Sequence, residues 1–139
     1  MIGVSALYNR HRGACFSAVA FVAIIAWLGV DAWRSQHQRY QVARVITQGE
    51  ASRAPPIMRR YGCTGCHTIP GIAGADGQVG GSLAEIRERV YIGGVANNSA
   101  DNLVRWIVSP QSFSPHSAMP ATGISEAEAR DVAAYLYAH

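Results

Sequence analysis

The sequence contains no lysine, so its positive charge comes from twelve arginines alone. These arginines are scattered along 139 residues, nine acidic residues offset them, and the net charge is only +3. Nucleic-acid binding requires basic residues clustered on one face or along one helix. We therefore expect no nucleic-acid partner.

Cysteine is also scarce, with three residues in the whole chain. Cys15 lies alone in an apolar run, whereas Cys63 and Cys66 are separated by two residues. An odd count with this spacing argues against the disulfide framework of a small secreted protein. Cys15 is interpreted as a small apolar residue of a helix, with a lipid-modified or reactive thiol as the alternative.

One long apolar run, residues 14–33, carries no charge before Asp31. Twenty helical residues span ~30 Å, which matches the hydrocarbon core of a bilayer, and Trp27 and Trp33 suit its interface. We predict a transmembrane anchor at 14–33, preceded by a tail at 1–13. A cleaved signal peptide remains the alternative, with a cleavage site at residues 30–32. Arginines on both sides of the run leave its orientation undecided.

A polar segment follows the apolar run and predicts a helical extension or linker at residues 34–48. Gly49 is expected to end that helix. Pro55 and Pro56 suit the first turn of a new helix, because the N–H groups of that turn have no intrahelical partners. We predict this second helix from Pro55 to Tyr61, just before the cysteine pair.

The segment Cys63-Thr64-Gly65-Cys66-His67 carries the most specific pattern in the chain. C-x-x-C-H is the signature of c-type haem attachment, in which two thiols bond the haem and the histidine ligates the iron. A thioredoxin-like dithiol would need a βαβ pattern, which the sequence lacks. A structural zinc site would need four ligands, and no second cysteine pair is present. The sequence predicts one haem c, covalently bound through Cys63 and Cys66.

A second axial ligand is expected for a haem that transfers electrons. Met119 lies in the loop Ser114–Gly123, 52 residues after His67, and Pro115 and Pro120 stiffen that loop. We therefore predict His67 and Met119 as the iron ligands. His116 is the alternative ligand, or else a solvent-facing loop residue.

The remaining pattern is helical, which predicts an all-α fold. A helix from Asp101 to Val108 is expected to begin at Ser99 or Asp101 and to stop before Pro110. Ser125 and Glu128 form a capping box for a last helix. Dense glycines between the haem motif and residue 94 indicate loops that wrap around a flat group or loops that are merely flexible, and a bound haem favours the first interpretation.

The order of these elements resembles a class I monohaem cytochrome c over residues 49–139. The segments Asn102–Gln111, Met119-Pro120 and Asp131–Leu136 are most similar to the cytochrome c domain joined to subunit II of caa3-type oxidases, and to small membrane-anchored cytochromes c of bacterial respiratory chains. The resemblance implies an N-terminal transmembrane helix followed by a small class I cytochrome c fold. It also implies a single-pass protein of the bacterial cytoplasmic membrane, with its tail in the cytoplasm and its haem domain in the periplasm.

The same resemblance suggests further contacts with the haem. The family often has Gly-Pro before a leucine downstream of the haem motif, and the stretch here reads Gly80-Gly81-Ser82-Leu83. A backbone carbonyl there accepts the proximal histidine N–H in the family, and Gly81 still provides a carbonyl. We expect a looser loop as a result, with Pro70 as another source of rigidity. Arg89, Tyr91 and Trp106 are the candidates for contact with the haem propionates, and core packing is the alternative for Trp106.

Two filled axial positions leave no iron site for a small-molecule substrate, which predicts an electron carrier and not an enzyme. Methionine ligation raises the reduction potential and suits the oxidising end of a respiratory chain. The expected partners are a membrane and redox proteins, namely a terminal oxidase, a quinol–cytochrome c reductase or a dehydrogenase. An integral haem c subunit of a larger complex is one alternative, and a haem enzyme or gas sensor that releases Met119 is another.

Overall fold

The computed structural model describes the backbone of residues 4–139 and the side chains of residues 18–139. The predicted tail at 1–13 and Cys15 lie outside the described side chains. The chain divides into two compact units, Met1–His37 and Gln38–His139.

Helix α1, Val4–Thr47, belongs to the first unit up to His37. The span Ala18–Thr47 contains an 18-residue window with a mean hydropathy of 1.5 and no buried residue. Its length and composition are those of a membrane-spanning helix, and a signal sequence near an N-terminus has the same properties. The rings of Trp33 and His37 stack at the end of this unit, with centroids 5.6 Å apart.

The second unit begins inside α1, whose last turns pack into the core. Ala43 is 1% exposed, and the fully buried Thr47 donates a hydrogen bond from Oγ1 to the Ala43 carbonyl over 2.7 Å. The helix ends there, because Gln48 takes a left-handed φ of 56° and Gly49 follows. Only glycine fits at position 49, since a Cβ would lie 2.0 Å from the Arg130 carbonyl oxygen. The predicted end of the helix at Gly49 is confirmed.

The other elements are four short helices and one small sheet. Helices α2 and α3 are Ala54–Arg60 and Cys63–Cys66, and helices α4 and α5 are Ala100–Val108 and Glu126–Ala138. Strands β1, Tyr91–Ile92, and β2, Ala96–Asn97, pair antiparallel. Three 3₁₀ turns complete the described part of the unit: Ala51–Arg53, Ile86–Glu88 and Pro110–Ser112. The fold is all-α as predicted, apart from this two-stranded sheet.

Helices α4 and α5, the longest of the four, begin at the expected capping residues. Ser99 accepts a hydrogen bond from the Asn102 N–H, which makes Ser99 and not Asp101 the N-cap of α4. Ser125 and Glu128 form the complete capping box of α5. Such caps satisfy N–H groups that have no partner within the helix.

Helix α5 is the centre of the core and packs against α2, α4 and the 3₁₀ turn Ala51–Arg53. Residues 131–138 are all buried. Asp131 tolerates burial because its Oδ1 accepts a hydrogen bond from the Glu50 N–H over 2.6 Å. No described buried side-chain nitrogen or oxygen lacks a partner.

Candidate functional site: a cavity between His67 and Met119

The cysteine pair lies on a single helical turn that a glycine makes possible. Gly62 adopts a left-handed φ of 75°, which ends the preceding helix and starts α3. Cys63 and Cys66 stand three residues apart on α3, so both thiols lie on the same side of the turn. Both thiols are free, and burial raises the pKa of the half-buried Cys63 thiol.

His67 follows α3 in an extended conformation and its ring is oriented by a backbone carbonyl. Its Nδ1 lies 2.6 Å from the Gly81 oxygen. A carbonyl only accepts hydrogen bonds, so Nδ1 carries a proton, and in the neutral imidazole Nε2 then has a free lone pair. This is the tautomer that a metal-ligating histidine needs. The contact expected at Gly81 is therefore present.

The loop that carries Gly81 is bonded directly to the cysteine motif. The Gly80 N–H donates to the Cys66 carbonyl over 2.7 Å, and the Leu83 N–H donates to the Thr68 carbonyl over 2.8 Å. Gly80 also touches the imidazole, because a Cβ there would lie 2.3 Å from Cε1 of His67. Position 80 therefore requires glycine, because the backbone there lies against the His67 ring.

Arg89 restrains the same loop from the other side. Its Nη2 donates to the Ser82 carbonyl and, over 3.1 Å, to the Ala84 carbonyl. These bonds constrain the loop just after Gly81, in a stretch that lacks the proline of the family pattern. Pro70 is held separately, since its carbonyl accepts the Tyr135 hydroxyl over 2.7 Å.

Met119 lies in the loop between α4 and α5 and is partly buried. Its N–H donates to Ser117 Oγ over 3.3 Å, and its carbonyl accepts from Gln111 Nε2 over 2.8 Å. His116, the alternative ligand, is exposed and does not line the cavity described next.

A cavity of about 430 Å³ brings most of the predicted site residues together. A volume of this size is typical of small-molecule and cofactor sites. Cys63, His67 and Met119 line it, as do the three residues proposed for the propionates: Arg89, Tyr91 and Trp106. Cys66, on the same turn as Cys63, is not among the lining residues.

Sequence reasoning missed the apolar walls of this cavity, which come from several separate segments: Met58, Leu83, Ile86, Ile92, Leu103, Ile107, Val132 and Leu136. Helical periodicity marks such residues as buried, but it does not distinguish a cavity wall from ordinary core. Trp106 serves both roles, because it lines the cavity and packs against Phe113 at 6.1 Å between centroids.

Asn98 is a further cavity residue that the sequence analysis did not single out. Its Nδ2 donates to the Ile86 carbonyl over 2.6 Å and to the Arg89 carbonyl over 2.8 Å. Its Oδ1 accepts the Tyr137 hydroxyl over 2.6 Å. Asn98 thus ties α5 to the segment that carries Arg89, and no local sequence pattern announces this role.

The donor set of the cavity fits haem and does not fit zinc. An imidazole with a free Nε2 and a thioether sulfur are axial ligands of an electron-transfer haem, and apolar walls suit its macrocycle. Gly80 and Gly93 leave no space for a Cβ, because their backbone lies directly against the rings of His67 and Trp106, which line the cavity. Within residues 18–139, no group of three or more histidine, cysteine or acidic side chains is placed to hold a metal ion.

The sequence of this chain is similar to those of known proteins. Residues 52–138 match the sequence model of the family Cytochrome c. The chain is also 32% identical, over 91 residues, to a cytochrome c oxidase subunit 2 of Alkalihalophilus pseudofirmus, and the match covers 65% of this chain and 26% of that protein. The chain thus spans about a quarter of the length of this relative. No solved structure matches this chain with significant similarity.

The resemblance to cytochrome c and to an oxidase subunit is confirmed by these two similarities. Membership implies haem c as the cofactor and electron transfer as the role. The match covers more than half of the residues, including the CxxCH motif, Met119 and the whole of α5. The chain therefore belongs to the cytochrome c family.

Proposed function

We propose that this protein is a membrane-tethered one-electron carrier with a single haem c, held by thioether bonds from Cys63 and Cys66 and ligated by His67 and Met119. The bound haem supplies a reversible change between ferrous and ferric iron. The observation that carries the proposal is one cavity lined by Cys63, His67 and Met119, with Nδ1 of His67 placed 2.6 Å from the Gly81 oxygen.

The residues of the cavity have separate tasks in this proposal. The Gly81 carbonyl fixes the ring plane and tautomer of His67. The apolar walls keep water from the iron, and a thioether ligand favours the ferrous state, so both raise the reduction potential. Arg89, Tyr91 and Trp106 are proposed to lie near the propionates, where the guanidinium of Arg89 would offset negative charge.

Electrons are proposed to pass through the edge of the domain at which Arg89 and Tyr91 lie. Val90, Tyr91 and Val95 are more than half exposed around this edge. Exposed apolar groups of this kind suit the small, transient contacts of redox partners. The proposed partners are a terminal oxidase, a quinol–cytochrome c reductase or a dehydrogenase.

The tether is proposed to be residues 14–33, with 1–13 in the cytoplasm, 34–48 as a helical extension and 49–139 as the haem domain in the periplasm of a bacterium. The apolar helix supports the membrane span. The family supports the location, because covalent haem attachment in bacteria follows export. A second candidate is a subunit of a larger respiratory complex, favoured by the similarity to a cytochrome c oxidase subunit 2.

Thiol replacement tests the covalent bonds. The full chain is produced in a bacterium that attaches haem c, and membranes are assayed for haem that remains on the denatured polypeptide. We expect covalent haem in the parent and in Cys15→Ser, and a loss or a single-thioether spectrum in Cys63→Ser and Cys66→Ser. Full covalent haem in the double Cys63→Ser, Cys66→Ser variant would contradict the proposal.

Methionine replacement tests the ligand set. Met119→Leu is expected to abolish the far-red charge-transfer band between thioether and ferric iron and to let carbon monoxide bind the ferrous form. Met58→Leu is the matched control, because the fully buried Met58 also lines the cavity. A reduced parent whose spectrum changes with carbon monoxide would favour the gas-sensor alternative.

Purification in mild detergent tests the second candidate. Co-purification of other chains with this protein would favour a subunit of a larger complex.

A further inference from the structure

We propose that Gln111 is a positioning residue for the Met119 ligand, an inference that rests on the proposed ligation of the iron by Met119. Its side-chain amide holds the backbone of Met119 and so keeps the thioether at the cavity. Gln111 itself does not line the cavity and would not touch the haem.

The contact joins two carbonyls of the methionine loop to one amide group. Nε2 of Gln111 lies 2.8 Å from the Met119 oxygen and 3.5 Å from the Ser117 oxygen. A primary amide has two N–H donors, so one glutamine can serve both acceptors. The bond to Met119 is short and is the stronger of the two.

Gln111 is itself fixed by the end of α4. It sits in the 3₁₀ turn Pro110–Ser112, and Pro110 is fully buried. The Pro110 carbonyl accepts the Ser114 N–H over 3.0 Å, and the Ser109 carbonyl accepts the Ser112 N–H over 3.1 Å. The amide is therefore presented from a rigid support.

The methionine loop has few other restraints. Residues 113–125 contain no helix or strand, and Pro120 has no N–H to offer after Met119. The Met119 N–H bonds only within the loop, to Ser117 Oγ over 3.3 Å. Among the described residues, the Met119 carbonyl accepts a hydrogen bond from Gln111. Loss of the amide would free the loop at the residue that carries the sulfur.

Displacement of the sulfur by imidazole measures this role in the haem-loaded full chain. Gln111→Leu keeps the volume but has no donor, and Gln111→Glu keeps the shape but sets oxygens against the carbonyls. In both, we expect half-displacement of the charge-transfer band at about tenfold lower imidazole, the equivalent of ~1.4 kcal/mol and typical of one hydrogen bond. Ser112→Ala, in the same turn, should stay within about twofold of the parent.

Thermal unfolding of the same samples separates positioning from general stability. A lower melting temperature with an imidazole titration that superimposes on the parent would overturn the inference while leaving Met119 ligation intact. A parent with no charge-transfer band would instead overturn the proposed ligand set, and the inference with it. Because Gln111 is only half-buried, at least the isosteric glutamate variant is expected to fold.

Discussion

Single residues around His67 decide how firmly the imidazole is held. The ring receives one hydrogen-bond acceptor, the Gly81 carbonyl, on its Nδ1 side. Gly80 lies against the ring itself, with less space than a methyl group needs. The two adjacent glycines therefore differ in what they tolerate, and that difference can be measured.

Gly80→Ala is expected to displace the His67 ring, because the new Cβ would lie 2.3 to 2.8 Å from three of its atoms. Overpacking of this kind costs ~1–3 kcal/mol. We expect less covalent haem, or a spectrum without the charge-transfer band. Gly81→Ala is the control, since nothing lies within 4 Å of its Cβ and the carbonyl remains. Equal behaviour of the two variants would contradict the steric argument.

Arg89→Ala is expected to lower the free energy of unfolding by about 1 kcal/mol, because two carbonyls of the Gly81 loop lose an exposed donor. Denaturant titration measures this. A fall in reduction potential is expected as well if Arg89 lies near the propionates. Arg87→Ala, which removes only a contact with Glu88, should change neither quantity much.

At the scale of elements, α5 and its first turn hold the domain together. Glu128 accepts hydrogen bonds from the Ser125 hydroxyl over 2.7 Å and from the Tyr61 hydroxyl over 2.9 Å. The capping box thereby links α5 to the end of α2, just before the cysteine motif. The cluster of Ser125, Glu128 and Tyr61 therefore both caps α5 and holds the segment that leads into the CxxCH motif.

Ser125→Ala is expected to destabilise the domain by ~1 kcal/mol, since the Glu128 N–H loses its capping acceptor. Guanidinium unfolding of the haem-loaded protein measures the change. Ser52→Ala is the comparison, because that exposed hydroxyl only reaches the Glu50 carboxylate. A change of similar size in Ser52→Ala would show that serine loss, and not capping, is responsible.

The same cluster predicts a pH dependence. Hydrogen bonds from Ser125, and next from Tyr61, lower the pKa of Glu128 below its ordinary value of 4.5. Its contribution to stability is therefore complete above that value and is lost as the pH falls through the lowered pKa. Glu128→Gln should flatten this acid limb in unfolding measured from about pH 7 to about pH 3. An unchanged acid limb would contradict the assignment.

At alkaline pH the effect is reversed, because stability is lost there as the pH rises. The hydrogen bond to Glu128, followed by burial, raises the pKa of Tyr61 above its ordinary value of 10.0. The contribution of Tyr61 is present below that value and is lost as the pH rises through the raised pKa. Tyr61→Phe should remove this part of the alkaline limb.

At the scale of the whole molecule, the end of α1 belongs to the haem domain. Tyr40 donates its hydroxyl to Nε2 of His139 over 2.9 Å, while Nδ1 of His139 donates to the Tyr135 carbonyl over 3.0 Å. Ala43 and Thr47 are buried, and Arg130 donates to the Thr47 carbonyl over 3.1 Å. The compact unit accordingly begins at Gln38, whereas the resemblance to cytochrome c begins at Gly49.

A chain shortened to start at Gln38 is expected to stay soluble without detergent and to keep the parent's haem spectrum. A chain that starts at Glu50 loses the Tyr40–His139 bond and the burial of Ala43 and Thr47. We expect its free energy of unfolding to be lower by about 2 kcal/mol or more. Equal stability of the two fragments would show that the last turns of α1 are only a linker.

The sequence by itself determined the features that depend on neighbours within a few residues. The CxxCH motif, the capping box at Ser125 and the end of α1 before Gly49 are all of this kind, because helical geometry and turn chemistry act over three or four positions. The resemblance carried by these motifs extended them to the family, to haem and to the Gly81 carbonyl.

Only the tertiary structure decided which distant groups meet. Asn98 bonds to Tyr137 across 39 residues, and Tyr40 bonds to His139 across 99. Gln111 reaches Met119 only because the loop after α4 folds back on its own turn. Such contacts depend on how helices pack around the cavity, and neither hydrophobic periodicity nor local motif spacing carries that information.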